Sequence, residues 1–284
     1  MSDLQRLAVR VRRGFRGRVA YPLFRARKRV RQWLRPWRGE RTHLFVSGVQ
    51  RSGTNMLMHV LERSPETDVF HEGDPRAFDQ YMMRETPVVR DLARRSRARC
   101  FVIKALAEGD RIPAFLDAFE NARCVWLYRH HHDVASSMLA SFRSVPETVR
   151  RMAVEGERVG WWGRGMSERT RARLQELTQR SLTNHSLAAL LWYVRNLLFF
   201  EAGLAADGRV LPVRYETLVT QPAAEAERVF GFAGIPFDAR VTRRVNAASV
   251  RRRAAPALDE EVEALCSDLL RRLDDAAGLR EAAR

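Results

Sequence analysis

The chain has 284 residues, 45% of them hydrophobic, and a formal net charge of +16. That length supports one large domain with an apolar core, and the charge directs it to anionic partners: nucleotides, sulfated or phosphorylated compounds, nucleic acid or acidic lipid. The cysteines Cys100, Cys124 and Cys266 are too few and too far apart for a disulfide framework or a Cys-based zinc site, so buried thiols in a reducing cytoplasm are expected.

Residues 1–41 form a basic arm, separate in composition from a domain over 42–284. Arginines recur through the arm, with Leu23, Phe24, Val30, Trp33, Leu34 and Trp37 between them. The pattern fits a basic amphipathic helix, broken near Pro22 and ended near Pro36, that lies on an anionic membrane surface, as at the inner face of a cytoplasmic membrane. The competing expectations are an irregular arm or a helix packed on its own domain. No signal peptide is expected. The longest apolar run, 187–206, carries Arg195, Asn196 and Glu201 and reads as a buried helix rather than a membrane span.

From His43 the pattern alternates strand and helix. Short apolar runs at 43–47, 67–70, 100–104, 124–128 and 209–215 suit parallel strands buried on both faces. Helical spacing appears at 56–61, 112–119, 133–142, 187–204, 224–233 and 260–273. Such alternation implies an α/β fold: a central parallel sheet flanked by helices in three layers. The charged segment 143–185, with Trp161 and Trp162 in its middle, reads as a helical insertion and a candidate lid. Within 187–204, Trp192 is expected in the core, while Arg195 and Asn196 are open to face a site.

The first strand runs into V-S-G-V-Q-R-S-G-T-N, residues 46–55. Gly48 and Gly53 bracket four residues as in a phosphate-binding loop, whose amides and following helix N-terminus attract an anion. The lysine and hydroxyl of a nucleoside triphosphatase are missing after Gly53. Arg51 supplies the cation instead, within reach of one tetrahedral group. The fourth strand ends in Arg129 and leads through His130, His131, His132 and Asp133 to Ser137. Arg129 and Ser137 are placed to hold a phosphate at the carboxyl end of that strand. Three adjacent imidazoles lack the partner spacing of a metal site, and no metal is expected.

These stretches together resemble the sulfotransferase family. Arg51-Ser52-Gly53-Thr54-Asn55 matches its first signature after a strand. Arg129, Asp133, Val134 and Ser137 match the second, in which His130 and His131 replace the usual Asn-Pro. Residues 213–222 and 230–237 look like later family segments, and the resemblance spans roughly residues 43–275. It implies a P-loop-like fold and 3′-phosphoadenosine 5′-phosphosulfate (PAPS) as sulfate donor, with the bisphosphate PAP as product and no metal. By this resemblance Arg51, Ser52, Gly53, Thr54 and Asn55 hold the 5′-phosphosulfate, and Arg129 and Ser137 the 3′-phosphate. Arg251 and Arg252 lie where relatives place a basic loop over that phosphate, although the run also reads as a solvated charge cluster.

Transfer to an acceptor hydroxyl needs a base. Glu72, directly after the second strand, is the first candidate; His71 is the second and Asp74 a weaker third. An ion pair with one of the many arginines is the structural alternative for Glu72. Lys104 ends the third strand at the same sheet edge, to touch acceptor or sulfate or to form a surface ion pair. The acceptor is expected to be a carbohydrate, lipid or other small molecule. A nucleotide-dependent kinase and a basic nucleic-acid-binding protein are the alternatives: the first lacks its triphosphate and Mg²⁺ ligands, and the second lacks a recognisable reading module.

Overall fold

The computed structural model describes residues 23–247 and 254–279. Residues 23–34 form helix α1. The main sheet has strands β1 (Thr42–Gly48), β2 (Thr67–Phe70), β5 (Cys100–Lys104), β6 (Ala122–Tyr128) and β7 (Val210–Arg214), in the order β2-β5-β1-β6-β7. Every pairing in it is parallel. A small antiparallel pair, β3 (Phe78–Asp79) and β4 (Met82–Met83), stands apart. Helices α2 (Thr54–Glu62), α3 (Thr86–Arg95), α4 (Ile112–Ala118), α5 (His131–Ser141), α6 (Val145–Glu155), α7 (Glu168–Thr178) and α8 (Asn184–Glu201) follow in chain order. Helices α9 (Tyr215–Thr220), α10 (Pro222–Phe232) and α11 (Glu260–Ala276) complete them.

The sheet is covered on both faces, so its strands read as apolar runs rather than alternating ones. Alternation sets which core each side chain joins. Leu44, Val46, Val102, Val125 and Leu127 pack with Leu57 and Leu61 of α2 and with Val229 and Phe230 of α10. Phe45, Phe101, Trp126 and Tyr128 point the other way and pack with Phe115 of α4, Trp192 of α8 and Leu269 of α11. All three cysteines are free and buried, and burial pushes the Cys100 thiol up to about 12. Helix α8 is buried along most of its length, and among the described residues no helix is long and apolar enough to cross a membrane.

Segment 143–185 is helical, but its apolar side belongs to the main core. Val145, Val149, Met152, Leu174 and Leu177 join the cluster that contains α8. It is a fixed wall rather than a detached lid. Arg195 is a reason why: its Nη1 donates to the carbonyls of Trp161 (2.8 Å) and Arg164 (3.3 Å). Asn196 is likewise used internally, accepting from Trp126 Nε1 at 3.3 Å. Neither side chain faces the cleft described below, as their helical spacing had left open, because both satisfy polar groups in the core.

Candidate active site

The loop between β1 and α2 depends on two glycines. Gly48 has φ +130°, and a Cβ there would lie 2.0 Å from the Leu127 carbonyl oxygen of the neighbouring strand. Gly53 has φ +93°, and its Cβ would lie 2.1 Å from the Tyr215 ring. Between them Arg51 adopts a left-handed conformation, φ 70°, which costs a non-glycine residue about 1–3 kcal/mol and is held only by its surroundings. Gly53 caps α2, whose first turn carries no acidic residue. The helix itself therefore sets no carboxylate against its positive end.

Lys104 is 3% exposed at the end of β5. Its Nζ donates to Asn55 Oδ1 at 2.9 Å and to Glu72 Oε2 at 2.5 Å. The lysine thus ties the first turn of α2 to Glu72, two residues past the end of β2. Glu72 is ion-paired, but with this lysine; among the described residues it has no arginine partner of the kind its sequence context suggested.

Arg129 is 7% exposed at the end of β6. Its Nη2 and Nε donate to Asp133 Oδ2 at 2.7 and 3.2 Å, and its guanidinium lies 4.6 Å from the centroid of the Tyr215 ring. The same ring blocks a side chain at Gly53, so Tyr215 is wedged between the loop and Arg129. Trp192 is fully buried and donates from Nε1 to the Arg129 carbonyl at 2.9 Å, which fixes the strand end from behind.

Helix α5 begins at His131, two residues earlier than apolar spacing suggests. His130 is the reason. Its Nδ1 accepts from the amide of His132 at 3.3 Å, the bond of an N-cap. Imidazole thus performs here the capping role that asparagine usually performs. Burial, reinforced by the neighbouring His131 and His132, lowers the His130 pKa to about 4, so the ring is neutral and able to accept. His131 and His132 direct Nε2 to the two oxygens of Glu263, at 3.1 and 2.6 Å. Burial pushes the Glu263 carboxylate up, but the bonds from His132 and His131 outweigh it and hold it at about 2.

One cleft of about 670 Å³ at the carboxyl ends of the strands gathers these elements. Arg51, Gly53, Thr54 and Asn55 line it from the loop, Glu72 and Lys104 from the ends of β2 and β5, and Arg129 and Ser137 from β6 and α5. The two halves touch: Arg51 Nε donates to Ser137 Oγ at 2.9 Å, across 86 residues of sequence. Ser52 is not on the cleft surface; it is fully buried beneath the loop, and its hydroxyl has no partner among the described residues. His71 turns away from the cleft to Glu62, with Nε2 3.2 Å from Oε2, and Asp74 is paired with Arg76. Arg251 and Arg252 lie outside the described residues.

Residues 86–239 match the sequence model of the sulfotransferase family. The chain belongs to this family. The matched segment contains the Arg129–Ser137 stretch, while the Arg51 loop and Glu72 precede it. Among solved structures, a sulfotransferase from Alicyclobacillus acidocaldarius is 14% identical at a TM-score of 0.50, over 85% of this chain and 98% of that one. Mouse sulfotransferase SULT7A1 complexed with PAP is 16% identical at 0.47, over 86% and 90%. The sulfotransferase domain of the Synechococcus PCC 7002 olefin synthase is 15% identical at 0.45, over 83% and 97%. No curated protein sequence matches the chain. The likeness to the first of these structures shows the α/β fold with its P-loop-like β1–α2 turn.

The sulfotransferase cleft also has an aromatic wall. Tyr81, Phe142, Trp161 and Trp162 line it, and the two tryptophan rings stack with centroids 3.8 Å apart. Adjacent aromatics in a charged segment were the only sequence signal for this wall. Gln50 also lines the cleft, with a buried Oε1 that has no partner among the described residues; nothing in its sequence context marks it. Tyr215 stands in V-R-Y-E-T, one of the family-like stretches, but its role as a wedge depends on contacts that spacing does not reveal.

Proposed function

We propose that this sulfotransferase uses PAPS as donor and sulfates a hydroxyl of a carbohydrate, lipid or other small acceptor. The observation that carries the reading is the meeting of the Arg51 loop and the Arg129/Ser137 pair in one cleft. A ligand with an anion at each end fits this donor set. One end meets the N-terminus of α2, whose first turn carries no acid, beside Arg51, and the other meets a guanidinium already aligned by Asp133 and Tyr215.

Bound there, the donor supplies a sulfuryl group activated on a bridging oxygen. Arg51, Thr54, Asn55 and the amides that open α2 hold the 5′ end, with Ser52 and Gly53 shaping the loop around it. Arg129 and Ser137 hold the 3′-phosphate, and Arg251 and Arg252 are assigned to its cover by family resemblance. The bond from Arg51 to Ser137 parts on binding. Arg51 is exposed and turns to the bridging oxygen, where its permanent charge stabilises developing negative charge. Ser137 turns to the phosphate.

Glu72 takes the proton of the acceptor hydroxyl. What supports Glu72 over His71 is position: the glutamate lines the cleft, while the histidine is paired with Glu62 outside it. Lys104 aims the carboxylate and anchors it to Asn55. The aromatic wall suits an acceptor with a flat or apolar face around its hydroxyl.

Isothermal calorimetry with PAP, together with sulfate transfer from PAPS to a panel of hydroxyl acceptors, tests the reading. Glu72→Gln is expected to lower turnover by about 10²–10⁴-fold and leave PAP affinity near that of the wild type. A wild-type protein that does not bind PAP refutes the donor assignment. A Glu72→Gln variant with undiminished turnover refutes only the base.

A further inference from the structure

Helix α1 is built inside out. Its inward contacts are polar: Lys28 donates to the Glu62 carbonyl at 2.8 Å and to Thr67 Oγ1 at 2.9 Å, and Gln32 donates to the carbonyls of Pro65 and Thr67 at 2.8 and 2.9 Å. Apart from Phe24, which is half-buried beside Phe230 and Phe237, its large apolar side chains face out. Leu23 is 56% exposed, Val30 56%, Trp33 64% and Leu34 65%. With ~100° between successive residues, these four fall on one arc about 100° wide, opposite Lys28 and Gln32. Arg27 borders the arc on one side and Arg29 on the other.

We propose that this arc docks the protein on the surface of a bilayer containing acidic phospholipid, with α1 lying in the interface. An apolar stripe flanked by arginines is the composition that inserts between headgroups while its charges meet phosphates. Beside α1, a groove of about 730 Å³ is lined by Arg27, Arg63 and Arg244 among others, which adds a place for headgroup phosphates. A second copy of the chain is the poorer occupant, because a two-fold contact through this arc sets Arg27 and Arg29 against their own images. Thr67 begins β2 and Glu62 ends α2, so the anchor sits at the sheet end opposite the cleft. Docking therefore leaves the cleft open.

Co-sedimentation of the full chain with phosphatidylcholine vesicles, and with vesicles that also contain phosphatidylglycerol, tests this. Binding is expected only to the second and is expected to weaken with salt. Trp33→Glu with Leu34→Glu should lower partitioning by about tenfold or more, with PAP affinity and melting temperature unchanged because both side chains are exposed. Arg27→Gln and Arg29→Gln should each cost roughly fivefold. The proposal is overturned if wild type ignores the acidic vesicles, or if the double glutamate variant sediments with them as well as wild type does. It is equally overturned if sedimentation velocity without lipid shows a dimer that this variant loses.

Discussion

Gly53→Ala tests whether the loop, Tyr215 and Arg129 act as one unit. Two costs are separable. Alanine at φ +93° is strained by about 1–3 kcal/mol. Its Cβ, 2.1 and 2.4 Å from two Tyr215 ring atoms, must also displace the ring, an overpacking cost of about 1–3 kcal/mol. The sum is about 4 kcal/mol, or a fall of roughly 10 °C in melting temperature for a chain of this size. Tyr215 cannot move without disturbing Arg129, which lies over its face, so PAP affinity should fall with stability. Thermal unfolding and calorimetry of Gly53→Ala, Tyr215→Ala and the double variant form a cycle. Removing the ring removes the clash but not the strain, so the double variant should be more stable than the two single losses add up to. Additive losses, or a Gly53→Ala protein that melts and binds like wild type, would refute the wedge.

If Ser137 holds the 3′-phosphate as proposed, Ser137→Ala removes one hydrogen bond to it and should weaken PAP binding about tenfold, read by calorimetry; unchanged affinity counts against the phosphate assignment. Gly48→Ala sets a Cβ 2.0 Å from a backbone oxygen that cannot step aside, and should yield no soluble folded protein on expression. His130→Asn keeps the cap but removes a titrating ring. The folded His130 titrates near 4 and the unfolded residue near 6.5, so the unfolded chain takes up its proton first as pH falls. Wild-type stability from this group is intact above about 6.5 and lost towards 4. Denaturant unfolding across that window should therefore show a shallower decline for the variant.

The five strands of the main sheet are legible because each is an apolar run buried on both faces, whereas β3, β4 and α3 carry no pattern that marks them; the two signature stretches stand at strand ends that meet in one cleft. β6 starts two residues before its apolar run, since Ala122 and Arg123 do not read as strand residues, and β1 extends its run by one residue at each end, to Thr42 and Gly48. What sequence could not carry is contact across long separations. The bridge from Lys104 to Glu72 and Asn55, the Tyr215 wedge and the bond from Arg51 to Ser137 all depend on strand order. The start of α5 at His131 rather than 133 is not legible because histidine is an uncommon cap. The arm was read as amphipathic, yet which side would face the domain was not determined: apolar periodicity assigns the stripe inward by default, and four backbone or hydroxyl acceptors near Thr67 reversed it.

The distribution of lysine follows the same logic. Lys28 and Lys104 are the only lysines among 50 basic residues, and both are buried, at 9% and 3% exposure. Each ammonium meets two oxygens from different elements: Glu62 O and Thr67 Oγ1 for Lys28, Asn55 Oδ1 and Glu72 Oε2 for Lys104. The buried arginine in the cleft differs, since Arg129 presents its N–H edge to a carboxylate and its face to an aromatic ring. A compact ammonium suits converging single acceptors, whereas a planar fork of five donors would leave some of them buried without partners. Burial lowers the Lys28 pKa to about 8, a cost that an arginine would meet by disrupting the pocket rather than by releasing a proton. Lys104→Arg is thus expected to destabilise the fold by about 1–3 kcal/mol and to displace Glu72, reducing turnover more than PAP affinity. Lys28→Arg should destabilise the fold similarly without touching turnover in detergent-free solution. If chemical denaturation finds both arginine variants as stable as wild type, the two sites do not select lysine by shape.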